Sequence, residues 1–230
     1  MSNVIGVKTQ ENLQQKFIAG VYGWMVLALA ISGFCAYVTA NNEMVFRFIF
    51  SSKYIFYSLL IAELAVVFVL SSRIGKMSTK VAAFWFLLYS VLNGVTLASI
   101  FYLYTATSIA RIFFITAGMF GGMSLYGLKT KSDLMSFGRY FMMAVIGLII
   151  ASVINIFFRS SGLDWLISII TVVVFTGLTA YDTQKMLRLS TVADGSDIFG
   201  RAAIIGALEL YLDFINIFLA LLRLFGRSKD

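Results

Sequence analysis

The sequence contains no histidine, no proline and a single cysteine, Cys35. The lack of histidine excludes His-ligated metals and haem, imidazole acid–base work, and Ser–His or Cys–His nucleophile pairs. One cysteine excludes a disulfide framework, a thiolate zinc site and an iron–sulfur cluster, and leaves the redox compartment unread. Without proline, no helix is kinked by a pyrrolidine ring. Charge is scarce too. Of the 230 residues 13% are charged, against about 25% in a soluble domain. Apolar residues make up 60% and the mean hydropathy is +0.91. This composition excludes both a water-soluble globule and a disordered chain, and it identifies a polytopic membrane protein.

Seven apolar stretches, at 17–40, 54–72, 81–104, 109–128, 137–158, 163–184 and 202–222, predict seven transmembrane helices. Each approaches or exceeds the roughly 20 residues that cross a ~30 Å hydrocarbon core. The connections are short, the longest being Lys185–Arg201. The expectation is a single all-α, seven-span domain over residues 1–230, with a short polar tail at 1–16 and a short basic tail at 223–230. No cleavable signal peptide is read at the N-terminus, because residues 1–16 are polar and the first apolar run is too long for an h-region.

Lys and Arg at the span ends set the expected orientation. One side collects eleven: Lys8, Lys16, Arg73, Lys76, Lys80, Lys129, Lys131, Arg139, Lys185, Arg188 and Arg201. The other collects seven: Arg47, Lys53, Arg111, Arg159, Arg223, Arg227 and Lys229. The bias predicts a cytoplasmic N-terminus and, after seven spans, a C-terminus outside. The three tail charges pull the other way, so a C-terminus inside, with one unrecognised re-entrant segment, is the competing arrangement. The net charge of +7 does not imply nucleic-acid binding, since the basic residues sit where membrane topology explains them.

Charge inside lipid costs about 2.5–3.5 kcal/mol on insertion scales. Acids within spans are therefore the informative residues: Glu63, Asp182, Glu209 and Asp213. Asp164 falls at a span edge and reads as interfacial. Asp213 lies deep in the last span. Glu209 and Asn216 share its helical face, which makes a polar stripe on an apolar rod. Such a stripe faces the bundle interior or water; its plain structural reading is interhelical hydrogen bonding by protonated acids. Asp182 is placed near the cytoplasmic end of its span. There the helix macrodipole opposes an acid, so a compensating partner is expected. Arg73, at the cytoplasmic end of the second span, is geometrically able to be that partner, although a positive-inside anchor also explains it. Glu63 sits mid-span as a pathway residue or a buried protonated acid.

If Asp182 and Asp213 meet across the short connection between their helices, both cannot ionise cheaply in a low dielectric. They then share a proton and sense pH without histidine. Losing that proton leaves two negative charges, which suit transient contact with a hard divalent cation such as calcium.

Two segments carry a family resemblance. Val174-Phe175-Thr176-Gly177-Leu178-Thr179-Ala180-Tyr181-Asp182-Thr183-Gln184 and Leu210-Tyr211-Leu212-Asp213-Phe214-Ile215-Asn216-Ile217-Phe218 resemble the signature and the last-helix motif of the Bax inhibitor-1 family, the transmembrane Bax inhibitor motif proteins. The seven-span layout fits over essentially the whole chain. The resemblance implies a bundle whose last helix is central, surrounded by the other six. It implies a pH-sensitive calcium leak, with Asp182 and Asp213 as sensor and gate, Arg73 as latch and Glu63 as the second-helix acid. Glu209 is outside the pattern. The minimal loops resemble the bacterial branch, which implies the plasma (inner) membrane rather than the endoplasmic reticulum, and a membrane-bound ATP-dependent protease as a partner in some members.

Other patterns weigh less. Gly118 and Gly122 have the small-xxx-small spacing and predict close helix packing, not a phosphate loop. Ile154-Asn155-Ile156-Phe157 echoes Ile215-Asn216-Ile217-Phe218 over too few residues for a repeat. The ten methionines read as lipid-facing or packing residues. Tyr181-Asp182 matches one half of an intramembrane aspartyl protease. The Gly-x-Gly before a second acid is missing at Asp213, however, and a Pro-Ala-Leu element needs proline. Residues 202–222 contain no lysine for a retinal Schiff base. The expectation is a non-enzyme without an organic cofactor: a pH-gated calcium or cation leak. A non-transporting regulator that binds a membrane protease or other membrane protein is the alternative.

Overall fold

A computed structural model describes residues 2–229, with side chains described from Gln10 onward. Among these residues the chain forms eight α-helices: α1 (Ser2–Asn41), α2 (Glu43–Phe50), α3 (Lys53–Arg73), α4 (Thr79–Leu103), α5 (Ala106–Lys129), α6 (Gly138–Phe158), α7 (Ser161–Ser190) and α8 (Asp197–Phe225). All but α2 are long and apolar enough to cross a membrane. The all-α, seven-span class is thus the observed one, and each expected span falls on its helix to within a residue. Three boundaries differ. Helix α1 already runs through the polar tail expected at 1–16; the side chain of Lys8 lies outside the described residues. The other two lie at α7 and α8, which have 30 and 29 residues, about 45 and 43 Å. Both outrun the hydrocarbon core, so the connection between them shrinks from Lys185–Arg201 to residues 191–196.

Local chemistry sets several of these ends. The Asn42 side chain accepts the Val45 amide at 3.2 Å to start α2, and Thr105 accepts that of Ser108 at 3.3 Å to start α5. Helix α6 ends where Arg159 takes a left-handed backbone at φ 49°. The Asn155 side chain there accepts the Ser160 amide at 3.0 Å. Helix α2 was not foreseen. It buries only Ile49 and leaves Met44 and Phe48 exposed, which suits a short helix lying in the membrane interface.

The helices form two compact units. The first comprises α1–α4 with residues 188–211 and Lys229; the second comprises residues 104–187 and 212–228. Helix α8 gives its first half to one and its second half to the other. Of the seven spans α8 is the most buried. In its apolar stretch 72% of residues are buried, against 6% in α6.

In the first unit α1 and α4 pack most closely at Gly94. A Cβ there would stand 2.6 Å from the Ser32 carbonyl oxygen and 2.8 Å from the Cys35 Cβ. At one end of this unit, Gln10 donates to the Thr191 carbonyl at 2.8 Å and Phe17 meets Phe199 edge-on. At the other end, the Lys229 amide donates to the Leu103 carbonyl at 3.0 Å and its ammonium to that of Phe101 at 2.8 Å. Because α4 runs from Thr79, bonded to Asp197, to Leu103, the described ends of the chain lie on opposite sides.

The α3–α4 connection is tied down by one side chain. The Arg201 guanidinium donates to the carbonyls of Gly75 at 2.9 Å and Met77 at 2.8 Å. Nη1 makes both contacts while Nε donates to the Asp197 carbonyl at 3.3 Å, and lysine has a single nitrogen for all three. Arg201→Lys should therefore raise amide exchange across residues 74–79 about tenfold, equivalent to about 1.4 kcal/mol. Unchanged exchange by mass spectrometry would show that the connection is held otherwise.

Candidate functional site

Asp182 and Asp213 both belong to the second unit, and both are buried, at 7% and 3% exposure. Asp213 lies sixteen residues after the start of α8 and twelve before its end, near the middle of the span. Asp182 lies eight residues before the end of α7 at Ser190, about 12 Å inside. This corrects one expectation. The macrodipole acts within the last turn, and Asp182 is two turns away from it, so burial rather than the dipole sets its cost. Lys185, one turn on, brings its ammonium to 4.0 Å from the Asp182 carboxylate and is half-exposed.

The wall around Asp182 is tight. Gly127 of α5 faces the backbone at Ala180 and the Thr183 Cβ of α7, where a side chain would collide with backbone. Gly177 has Phe141 of α6 against its open face, and Gly138 has the Tyr181 ring. The expected packing pair, Gly118 and Gly122, is instead exposed, with nothing where a Cβ would stand. The spacing was right for a seam, but its face points away from the protein. In the same unit, the hydroxyls of Ser124 on α5 and Thr176 on α7 are buried without a hydrogen-bond partner.

The remaining predicted residues are dispersed. Glu209 falls in the first unit and is partly exposed. The Asn216 amide donates to its own helix, to the Leu212 carbonyl at 2.8 Å. The Asn155 of the echoed motif caps a helix end, so the two Ile-Asn-Ile-Phe segments do different work. Arg73 is exposed at the end of α3 and makes no ion pair among the described residues. Asp164 is half-exposed and pairs with Arg223 at 3.6 Å, as an interfacial acid should. This pair sits beside Tyr104 in the α4–α5 connection. Burial raises the Tyr104 phenol above its ordinary range, and Arg223 opposes that shift.

Glu63 is buried at the centre of a cluster that the sequence alone did not show. Its carboxylate accepts from the Thr96 hydroxyl at Oε1 and from Asn93 Nδ2 at 3.0 Å at Oε2. Asn93 Oδ1 accepts from the Tyr211 hydroxyl at 2.8 Å. That hydroxyl stands 2.7 Å from Ser32 Oγ, which is 2.7 Å from the Ser90 carbonyl. Helices α1, α3, α4 and α8 are thus joined by one polar chain inside the first unit. Tyr211 is fully buried, edge-on to Phe86 and Tyr89. A mid-span Asn in α4 was the available signal for this cluster. Among the described residues no three His, Cys, Asp or Glu side chains gather to hold a metal ion.

A family profile described as "Inhibitor of apoptosis-promoting Bax1" matches residues 14–230. The chain is 48% identical over 217 residues to the inner membrane protein YbhL of Escherichia coli K12, covering 94% of this chain and 93% of that one. It is 47% identical over 219 residues to a protein of Borreliella burgdorferi, covering 95% and 94%. It is 37% identical over 228 residues to a membrane protein of Streptococcus pyogenes, covering 98% of each.

Proposed function

The chain belongs to the Bax inhibitor family of membrane proteins, and from that premise we propose that it is a proton-sensitive leak for calcium or a similar hard cation in a bacterial inner membrane, with its N-terminus cytoplasmic. One observation carries the reading: two carboxylates, Asp182 and Asp213, are buried on consecutive helices of one compact unit. Acids at that depth are costly unless they share a proton or meet a cation.

In this reading protonation neutralises the aspartate pair, and deprotonation exposes two charges that a basic side chain closes over. Arg73 is the proposed latch for that state. Lys185 is the cation already beside Asp182. Influx therefore rises as pH falls through the titration of the pair. Glu63, Glu209 and Asn216 remain proposed pathway residues. No enzymatic step is assigned.

The test is calcium influx into dye-loaded liposomes holding the pure protein, from about pH 5.5 to about pH 8.5. Wild type should leak with a pH dependence. Asp182→Asn and Asp213→Asn should each flatten it and raise influx at neutral pH. Arg111→Gln, on an exposed position of α5, should leave it unchanged. No influx above empty liposomes, with folding verified, would overturn the leak. The alternative, a regulator that binds a membrane protease or other membrane protein, would then be pursued by crosslinking in native membranes.

A further inference from the structure

The polar chain in the first unit has more hydrogen-bond positions than one arrangement of hydrogens can fill. Ser32 and Tyr211 have one hydroxyl proton each. Ser32 faces two acceptors, Tyr211 Oη and the Ser90 carbonyl, each at 2.7 Å. Tyr211 faces Ser32 Oγ and, at 2.8 Å, Asn93 Oδ1. Two arrangements that involve the whole chain follow; a proton on Glu63 Oε1 would instead pass to Thr96, whose hydroxyl can turn to the Leu92 carbonyl at 3.3 Å, and would leave the tyrosine signal unshifted.

In the first, Glu63 is ionised. Thr96 and Asn93 Nδ2 donate to the carboxylate, Tyr211 donates to Asn93 Oδ1, and Ser32 donates to Tyr211. In the second, Glu63 holds a proton. A protonated carboxyl oxygen cannot accept from Asn93 Nδ2 while donating in the same direction, but a carboxamide turned by half a revolution keeps its outline. Asn93 then offers Oδ1 to the Glu63 hydroxyl and Nδ2 to Tyr211 Oη. Tyr211 turns its proton to Ser32, and Ser32 turns its own to the Ser90 carbonyl. Every group is satisfied in both arrangements, and no heavy atom has to move beyond the amide rotation.

We propose that Glu63 is a reversible proton-binding site and that Asn93, Tyr211 and Ser32 form a hydrogen-bond relay whose direction inverts with its charge. The proton comes from the aqueous phase and stays on Glu63; none crosses Asn93. The titratable groups facing Glu63 are Tyr89 of α4 and Tyr211 of α8, with Cys35 of α1 beside Tyr211. No Lys or Arg side chain contacts Glu63 among the described residues. With no cation to hold the ionised form, proton uptake is the route to a neutral interior. The relay reports that uptake from α3 to α1, across the helix that also carries Asp213. The inference does not rest on the aspartate gate.

Infrared difference spectra of the full-length protein in lipid, recorded from about pH 5 to about pH 9, test it. Wild type should gain a carboxylic-acid carbonyl band on acidification, with a tyrosine band shifting at the same midpoint. Glu63→Gln should lose both signals. Tyr211→Phe should lose the tyrosine shift alone. Asn93→Ala should keep the acid band and lose the coupled tyrosine shift, because the link between them is gone. Both signals should survive in Asp182→Asn and Asp213→Asn, whether or not the protein leaks. An acid band equal in wild type and Glu63→Gln would overturn the proton site. A tyrosine shift that persists in Asn93→Ala would overturn the relay. If Glu63→Gln fails to fold, the comparison of Tyr211→Phe with Asn93→Ala still decides the relay.

Discussion

Tyr211→Ala is expected to lower unfolding free energy by about 3–5 kcal/mol, the range for emptying a large aromatic site. Tyr211 is fully buried, sits edge-on to Phe86 and Tyr89 at centroid distances of 6.0 and 5.7 Å, and bonds both Asn93 and Ser32. Tyr211→Phe keeps the ring and removes only the hydroxyl. Hydrogen bonds between membrane helices average about 0.6 kcal/mol, with a maximum near 1.7, so the phenylalanine variant should lose several-fold less. Packing drives helix association in lipid, where burial from water gives little between helices. The ratio of the two losses therefore measures how much of the first unit depends on shape. Reversible unfolding in bicelles would give both numbers. Equal losses would mean that the hydroxyl chain, and not the ring, holds α8 in place.

The second large effect is expected at Gly127. Gly127→Val places a branched side chain against the backbone at Ala180 and the Thr183 side chain. Backbone cannot swing aside as a flexible side chain can, so α5 and α7 must separate. The cost should match or exceed ordinary overpacking, about 1–3 kcal/mol. The separation occurs within one turn of Asp182, so under the proposed leak the variant should also pass calcium at a pH where wild type does not. Gly118→Val and Gly122→Val, in open positions on the same helix, should be close to neutral in both assays. A Gly127→Val protein with wild-type stability, or Gly118→Val with the larger defect, would reverse the assignment of the packing face.

The glycines show how far the sequence could be read. Spacing marks where a helix can offer a smooth stripe. Gly118 and Gly122 have that spacing and face outward, whereas Gly127, with Met123 and Lys131 four residues to either side, carries a close approach without it. Facing depends on neighbours that periodicity cannot name when every side of a helix is apolar. The spans themselves were legible because lipid imposes a length and a polarity on each. Asp182 and Asp213 were legible for a related reason: an acid in an apolar run is conspicuous, and both are indeed buried. Tyr211 and Ser32 were not, since serine and tyrosine are unremarkable in a span until their partners are known. Helix α2 was missed because its eight residues fall in the short connection between the spans at 17–40 and 54–72. The depth of Asp182 was misjudged because α7 continues well past its apolar run.

The contrast between α6 and α8 bears on how the chain can drift. With 6% of its apolar stretch buried, α6 answers mainly to the solvent around it. Leucine, isoleucine, valine, methionine and phenylalanine should interchange along most of it in a saturation library, with penalties arising only from polar residues. Leu148, its one buried position, is the exception. At 72% buried, α8 should tolerate few exchanges of equal hydropathy. Two spans of one chain would thus diverge at very different rates: one selected for how greasy it is, the other residue by residue for its outline.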